Sequence, residues 1–552
     1  MTRKIFKILI AILIIVTLAI SYLHYFGLET SKFNNIIKEQ IQNQNKRLDL
    51  NLKKVKLHLD LKDLSLKIKT INPTLVIDNS VNLELDEVSS NISINSYFQN
   101  KFAIKNLEIK SKKNEIKNYI NLYRLTNNIA QFIVLKQIVK NGNLELNASI
   151  NFDKSGKILN DYKLFGKISD TSLAMYNYQN IDNVNLNFEI VKENYNLKKI
   201  SFILNKIKFN SDLLSIQHKN KIFYVDGNIK NKISNFDNKI FSIFFKNNFK
   251  NLDFANSKFD SDSKFSFKYS NKFKIQNLKI KSQINLDQIN LKHNFKKINK
   301  FINNHNNLIE LKKNNLNISY LNNEFNLNGS SELYFNDDIK NITNFKVFQN
   351  KKKTTFNSKI NLSNLEFKID DISYYKKPNK NAILEINGLE RNNEIIIKKI
   401  NYIENENKLE ANNLTIKNNK ISTIDSLKFK YKTKNDFRNH LSLIKKNKDY
   451  ELTGKSFDGE KLIENISNSN SNENFFDIFN NLSSKVKIKI KHVRLDHNNE
   501  INDLIGNLVL TNNKISNLDI NSNFNENEKL SLIIKSKNDN STITSFYSDR
   551  AK

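Results

Sequence analysis

From Leu48 onward the chain alternates apolar and polar residues with a period of two, and it does so through most of its remaining length. Successive side chains on a β-strand point to opposite faces, so this pattern builds strands with one apolar and one polar face. Leu48, Leu50 and Leu52 alternate with polar neighbours; Val55, Leu57, Leu59 and Leu61 resume after a one-residue slip, and Leu64, Leu66 and Ile68 after a second. Each slip carries the apolar set to the other face unless a bulge or turn absorbs it. Length alone suggests about three or four globular domains. No break in composition marks them, however, and 10 glycines and 2 prolines in 552 residues fit one elongated, twisted antiparallel sheet better. Hairpin-joined strands stacked at about 4.8 Å would extend it on the order of 200 Å, less if it curls.

The first 47 residues follow a different rule. No formal charge occurs between Lys7 and Glu29, and residues 8–28 at about 1.5 Å each reach roughly 31 Å, the thickness of a hydrocarbon core. Ile8 to Leu28 is therefore expected to be an uncleaved transmembrane anchor. The exit Ser21-Tyr22-Leu23-His24-Tyr25-Phe26-Gly27 has no A-x-A cleavage pattern, and Tyr22, Tyr25 and Phe26 suit an interfacial aromatic belt that His24 would join. Arg3, Lys4 and Lys7 place a basic tail over residues 1–7 in the cytoplasm and the bulk of the chain across the membrane. Phe33, Ile36, Ile37 and Ile41 then recur at helical spacing, which predicts an amphipathic helix over residues 30–47 near the membrane surface.

Helical periodicity returns over residues 118–141, where Leu122, Leu125, Ile129, Phe132, Ile133 and Val139 form a stripe and Gly142 supplies a stop. Shorter helices are expected at Lys239 to Phe249, Ile298 to Ile309 and Phe475 to Leu482, with His305 as a packing residue on one stripe. Asn465 to Asn474, rich in Ser and Asn, is expected to be a loop.

A short phrase recurs through the alternating strands: Asn, apolar, any, apolar. It stands at Asn106-Leu107-Glu108-Ile109, Asn143-Leu144-Glu145-Leu146, Asn183-Val184-Asn185-Leu186, Asn277-Leu278-Lys279-Ile280, Asn315-Leu316-Asn317-Ile318, Asn364-Leu365-Glu366-Phe367, Asn413-Leu414-Thr415-Ile416 and Asn507-Leu508-Val509-Leu510. Spacings of roughly 40 to 50 residues, or double that, point to internal repetition. A longer echo joins Asn418-Asn419-Lys420-Ile421-Ser422 to Asn512-Asn513-Lys514-Ile515-Ser516; in both, a strand enters Asn-Asn, which tolerates positive φ in a tight turn, and a strand leaves.

The chemistry-bearing patterns that would indicate an enzyme do not occur. The chain has no cysteine, and its eight histidines form no H-E-x-x-H pair; His492 and His497, five apart, would fall on opposite faces of a strand. No G-x-G-x-x-G, P-loop or G-x-S-x-G phrase is present. We therefore expect neither catalysis nor a cofactor or metal. A net charge of +32 would ordinarily raise nucleic acid as a partner, but the lysines are interleaved with acids, and Lys, Asn and Ile are enriched together as an AT-rich genome would write them. The aromatics, such as Phe265, Phe267 and Tyr269, fall on the apolar phase of strands, so no nucleic-acid binding is expected.

A sheet with one aliphatic face must cover it. A sandwich uses a second sheet and a barrel closes; a third solution bends the sheet into an open trough whose lining is covered by lipid acyl chains, each methylene contributing about 0.8 kcal/mol. The candidate lining residues are Leu57, Leu59, Leu107, Ile109, Leu144, Leu146, Leu278, Ile280, Leu414, Ile416, Leu508 and Leu510.

The anchor, amphipathic helix and slipped strands of residues 1–70 resemble the N-terminal region of AsmA-like envelope proteins, the group of AsmA, TamB and YhdP. The run Leu164-Phe165-Gly166-Lys167-Ile168-Ser169-Asp170-Thr171-Ser172-Leu173 followed by Ile181-Asp182-Asn183-Val184 is similar to a strand-glycine-strand phrase of the YhdP branch. So are Gly454-Lys455-Ser456-Phe457-Asp458-Gly459-Glu460-Lys461-Leu462-Ile463 and the closing Tyr547-Ser548-Asp549-Arg550-Ala551, where Lys552 stands in place of the branch's usual glycine. The resemblance implies an inner-membrane protein, N-terminus cytoplasmic, whose periplasmic β-groove over residues 48–552 carries phospholipid toward the outer membrane. It also implies that the chain is the front portion of a longer or split protein, with a partner or second chain completing the bridge. The alternative is a non-enzymatic scaffold assisting assembly of outer-membrane proteins, a role proposed for some AsmA-like relatives.

Overall fold

A computed structural model describes the chain apart from residues 1, 79, 100–102, 127–134, 175–179, 240–251, 255–256, 271–273, 293–301, 303–307, 336–338, 462–478, 538–540 and 551–552. Strand accounts for 68% of it and helix for 12%, and the sheet does not close. Two compact units are distinguished, Met1–Ser234 with Ser261–Lys279, and Asn235–Asp260 with Ile280–Lys552.

The first unit opens on the helix Thr2–Tyr25, long and apolar enough to cross a membrane. It ends three residues before the expected boundary because Gly27 takes a left-handed φ of +72° and Leu28–Thr30 is already a strand. There the helix meets the sheet directly: Leu28 pairs with Leu57, and His24 Nδ1 lies 2.8 Å from the Leu59 carbonyl. His24 thus pins a corner as well as standing beside the stacked, exposed rings of Tyr22 and Phe26.

The amphipathic helix is shorter than residues 30–47, spanning Asn34–Gln44. Asn34 Nδ2 donates to the Leu52 carbonyl, and Lys38 pairs with Asp49 at 2.9 Å, so the helix packs on strand Leu48–Asn51. Both slips near the start of the alternating pattern fall between strands: the first at a bend at Lys53 after Leu48–Asn51, the second in the turn between Val55–Asp60 and Ser65–Ile71, where Leu61 and Leu64 sit exposed. Leu48–Asn51 pairs with Thr74–Ile77 and not with its neighbour in sequence.

From Leu28–Thr30 antiparallel pairing runs through Val55–Asp60, Ser65–Ile71, Val81–Ser93, Ile104–Ser111, Val139–Asn151 and Lys163–Ala174, then strand by strand to Ile222–Phe236. The helix expected over residues 118–141 begins earlier, as Ile116–Thr126, and resumes over residues 135–138, while 127–134 lie outside the described residues. It yields to a strand at Val139, so Gly142 is no helix stop. Gly142 has φ +133°, and a Cβ there would stand 2.1 Å from Thr171 Oγ1; close approach of the facing strand, at a register shift, requires it.

In the second unit antiparallel pairing runs from Leu308–Leu321 to Asp449–Asp458. Asp449–Asp458 then pairs in parallel with Ser484–Arg494, after which antiparallel order returns to Thr542–Ser548. This junction corrects the expectation of a wholly antiparallel sheet; the crossover a parallel pair requires is the segment after Asp458.

Of the shorter helices, Lys239 to Phe249 falls almost wholly outside the described residues, as do His305 and Asn465 to Asn474. Leu308 and Ile309 are strand, and Phe479 bridges Ile421 in parallel, so neither Ile298 to Ile309 nor Phe475 to Leu482 is helical where described. His497 lies in the turn after Arg494 rather than on the strand, while His492 pairs with Glu500 at 2.8 Å.

Asparagine does most of the turning. Both central residues have positive φ at Asn205-Lys206, Asn220-Lys221, Asn322-Asn323, Asn392-Asn393, Asn418-Asn419 and Asn512-Asn513, the mark of two-residue type I′ hairpins. The two echoed Asn-Asn turns therefore form as expected. The recurrent phrase has its own conformation: Asn183, Asn277 and Asn413 are left-handed, each with φ 51°, inside strands. The copy at Asn364 is different, lying on an excursion between Thr354–Asn361 and Ala382–Arg391.

Candidate functional site

Directly opposed residues of an antiparallel pair project to the same face, so register fixes which residues line the apolar side. In the first unit Leu57 faces Ile68, Ile68 faces Ser90, Ser90 faces Leu107 and Leu107 faces Ile150. Ile109 faces Ala148 on the same strand, Leu144 faces Ile168, and Leu146 faces Gly166, which in turn faces Phe188. Leu59 shares the face with Leu57. Six predicted lining residues, Leu57, Leu59, Leu107, Ile109, Leu144 and Leu146, therefore stand on one apolar face.

That face begins beside the N-terminal apolar helix, because Leu28 stands opposite Leu57. Leu57 is buried and the other five are half-buried. Gly166 lies under the Phe188 ring, and a Cβ there would meet the Glu145 carbonyl at 2.0 Å, so close approach of the neighbouring strands requires glycine. The opposite face is polar, with Glu145, Lys167, Asn187, Glu189 and Lys198 around the exposed Phe165 and an ion pair of 2.7 Å between Lys198 and Glu189.

Leu278 and Ile280 are half-buried on one face of strand Ile275–Lys292, alternating with exposed Asn277, Lys279 and Lys281. In the second unit Leu414, Ile416 and Leu508 meet in one cluster with Ala411, Tyr450 and Val486; Leu414 is 8% exposed. Leu510 lies two residues along the same strand at 3% exposure. These candidate lining residues are core, since their own neighbours already cover them.

Another stretch of the second unit's face is covered by a segment that alternation does not reveal. Ile360, Leu384, Tyr402, Leu409 and Phe429 oppose one another in a row across five strands. On that row lies the excursion after Leu362, carrying the short hairpin Phe367–Ile369 and Tyr374–Lys376. Tyr374 donates to Glu404 Oε2 at 2.5 Å and lies 2.9 Å from the Tyr402 hydroxyl; Asn407 Nδ2 donates to the same Glu404 oxygen at 2.8 Å. Burial, the Tyr402 hydroxyl and Glu404 together push the Tyr374 phenol well above its ordinary range. Lys376 is fully buried and donates to the carbonyls of Ser363, Leu365 and Lys377 at 2.8–3.0 Å. Burial lowers its pKa, against the opposing pull of Glu404.

At the parallel junction Asp458 and Arg494 form a buried ion pair, with Arg494 over the Phe437 ring and the Asp458 amide donating to Asn439 Oδ1 at 2.7 Å. Among the described residues no group of three or more His, Cys, Asp or Glu could hold a metal ion. The sequence matches no protein-family model and no curated protein.

Proposed function

We propose that this chain is an inner-membrane-anchored, periplasmic β-groove protein that carries phospholipid between the inner and outer membranes, as its resemblance to the YhdP branch of AsmA-like proteins suggests. One observation carries the reading: the helix suited to cross a membrane runs without a spacer into the first strand, and Leu28 stands opposite Leu57 at the head of the apolar face. An acyl chain leaving the bilayer beside Tyr25 and Phe26 meets aliphatic side chains at once, and each methylene kept from water contributes about 0.8 kcal/mol. Headgroups stay toward solvent. The open sheet supplies a path without a drive, so a gradient or another protein sets the direction, and a partner or second chain completes the route to the outer membrane.

Strand Thr542–Ser548 favours a second reading, a scaffold for assembling outer-membrane proteins. Phe546 and Tyr547 on it are exposed aromatic rings of the kind a protein partner covers.

A photocrosslinking residue at Leu107 or Leu144 separates the two. The conduit predicts phospholipid adducts from both sites, and Leu144→Glu should block lipid transfer while leaving the strand content unchanged. Adducts only to protein, with transfer normal in Leu144→Glu, would sink the conduit and favour the scaffold.

A further inference from the structure

The segment after Leu362 is an appendage on an otherwise continuous hairpin. Asn361 pairs with Ile383, and the Leu362 amide donates to the Ala382 carbonyl at 2.9 Å, so the chain leaves and rejoins the sheet at one point. A two-residue turn would have sufficed there, as it does at Asn392-Asn393 between the next two strands. Residues 363–381 stand there instead.

That segment is braced within itself. Lys376 gathers carbonyls from Ser363, Leu365 and Lys377, all belonging to the excursion, and Tyr375 donates to Glu366 at 2.8 Å. Its hold on the sheet is of another kind: the apolar side chains of Phe367, Ile369, Ile372 and Tyr374 lie on the row from Ile360 to Phe429. Polar contacts add to this: Tyr374 to Glu404 and to Tyr402, the Tyr431 hydroxyl to the Ile372 carbonyl at 2.9 Å, Asn364 Nδ2 to the Lys340 carbonyl at 2.8 Å, and the Ala382 and Lys434 amides to Ser363 Oγ and the Ser373 carbonyl at 3.3 and 3.4 Å. A unit bonded internally through its own backbone can leave as a body, because its internal bonds stay intact while the polar contacts to the sheet are exchanged for water.

The row it covers belongs to the same face as the predicted lining. Leu409 lies two residues from Ala411 on strand Asn407–Lys417, and Ala411 shares a cluster with Leu414, Ile416 and Leu508. We propose that residues 363–381 are a plug, an occupant made of the chain itself, which sits where acyl chains would lie in the second unit and must be displaced for lipid to pass. The inference rests on the conduit reading and deepens it: the step controlled is passage across strands Thr354–Asn361 to Ser426–Lys432.

Joining Leu362 to Ala382 through Asn-Gly in the full chain removes the plug and keeps the hairpin register. A photocrosslinker at Leu409 then reports whether lipid reaches the row in vesicles of phosphatidylethanolamine and phosphatidylglycerol, with a second at Leu107 in the first unit as the reference. The plug predicts phospholipid adducts at Leu107 in both proteins and at Leu409 several-fold more in the deletion than in the parent. Tyr374→Phe combined with Tyr431→Phe removes the hydroxyls that pin the segment without removing its apolar bulk; this variant should give an intermediate gain at Leu409 and decides the matter if the deletion does not fold. Equal adducts at Leu409 in parent and variants, or none in any of them while Leu107 is labelled, overturn the plug and leave the conduit standing. No lipid at Leu107 in the parent overturns the conduit itself.

Discussion

The apolar faces of the two units come from the same alternation of residues and end in different states. In the first unit Leu59, Leu107, Ile109, Leu144 and Leu146 share a face at half burial, and no cluster of fully buried residues forms there among the described residues. In the second, three such clusters form, a buried ion pair spans the parallel junction, and a folded excursion roofs one row. A period of two specifies that a face is apolar. What covers that face is decided by segments that break the period: the excursion after Leu362 in the second unit and, over a shorter stretch of the first, helix Ile116–Thr126, where Tyr119 donates to Ser111 Oγ and Ile120 is buried.

The largest contrast should come from a charge placed on each face. Leu510→Glu buries a carboxylate at a 3% exposed site and should cost about 4 kcal/mol or more, read as lost hydrogen-exchange protection across the second unit. Leu107→Glu, at a half-buried site, should cost about 1 kcal/mol and leave protection in the first unit largely intact. Comparable losses would mean the first unit's face is as dry as the second's, and the contrast would fail. For the same reason Leu414 and Leu508 are poor probes of passage: a charge there tests folding first.

Ion pairs should divide the same way. Asp458→Ala leaves Arg494 buried without its partner and should cost about 3 to 5 kcal/mol in urea unfolding of the second unit. Glu189→Gln, which breaks the exposed Lys198 pair in the first, should leave the midpoint unmoved. The turns should show no division, which sharpens the point. Asn220→Ala and Asn392→Ala, one in each unit, should each lose about 1 to 2 kcal/mol because alanine is strained at the left-handed φ that asparagine tolerates. A marked difference between them would show that turn geometry, and not only coverage, distinguishes the units.

Much of this was legible in the sequence because it is local. Strands follow from alternation, and Asn418-Asn419 and Asn512-Asn513 from the tolerance of asparagine for positive φ. The N-terminal apolar helix follows from an uncharged run, misplaced by three residues at its end because Gly27 stops the helix inside an apolar stretch. Pairing order was not legible. Nothing local says that Leu48–Asn51 pairs with Thr74–Ile77, or that Asp449–Asp458 meets Ser484–Arg494 in parallel. Gly142 suggests a helix stop on sequence grounds, and only the approach of Thr171 shows why glycine stands there. The excursion left one trace: Tyr374-Tyr375-Lys376-Lys377-Pro378 breaks the alternation and holds one of the chain's 2 prolines. Such a break shows that a strand stops, and it leaves open that the segment folds back onto the sheet.

The central claim is that the first unit's half-buried face is lipid-bearing. Mass spectrometry of the detergent-purified full chain, compared with its Leu107→Glu and Leu144→Glu variants, tests it most directly. The account predicts phospholipid bound to the parent and depleted in both variants, whose strand content by circular dichroism stays that of the parent. A parent free of phospholipid, or variants that keep as much as the parent, would contradict it.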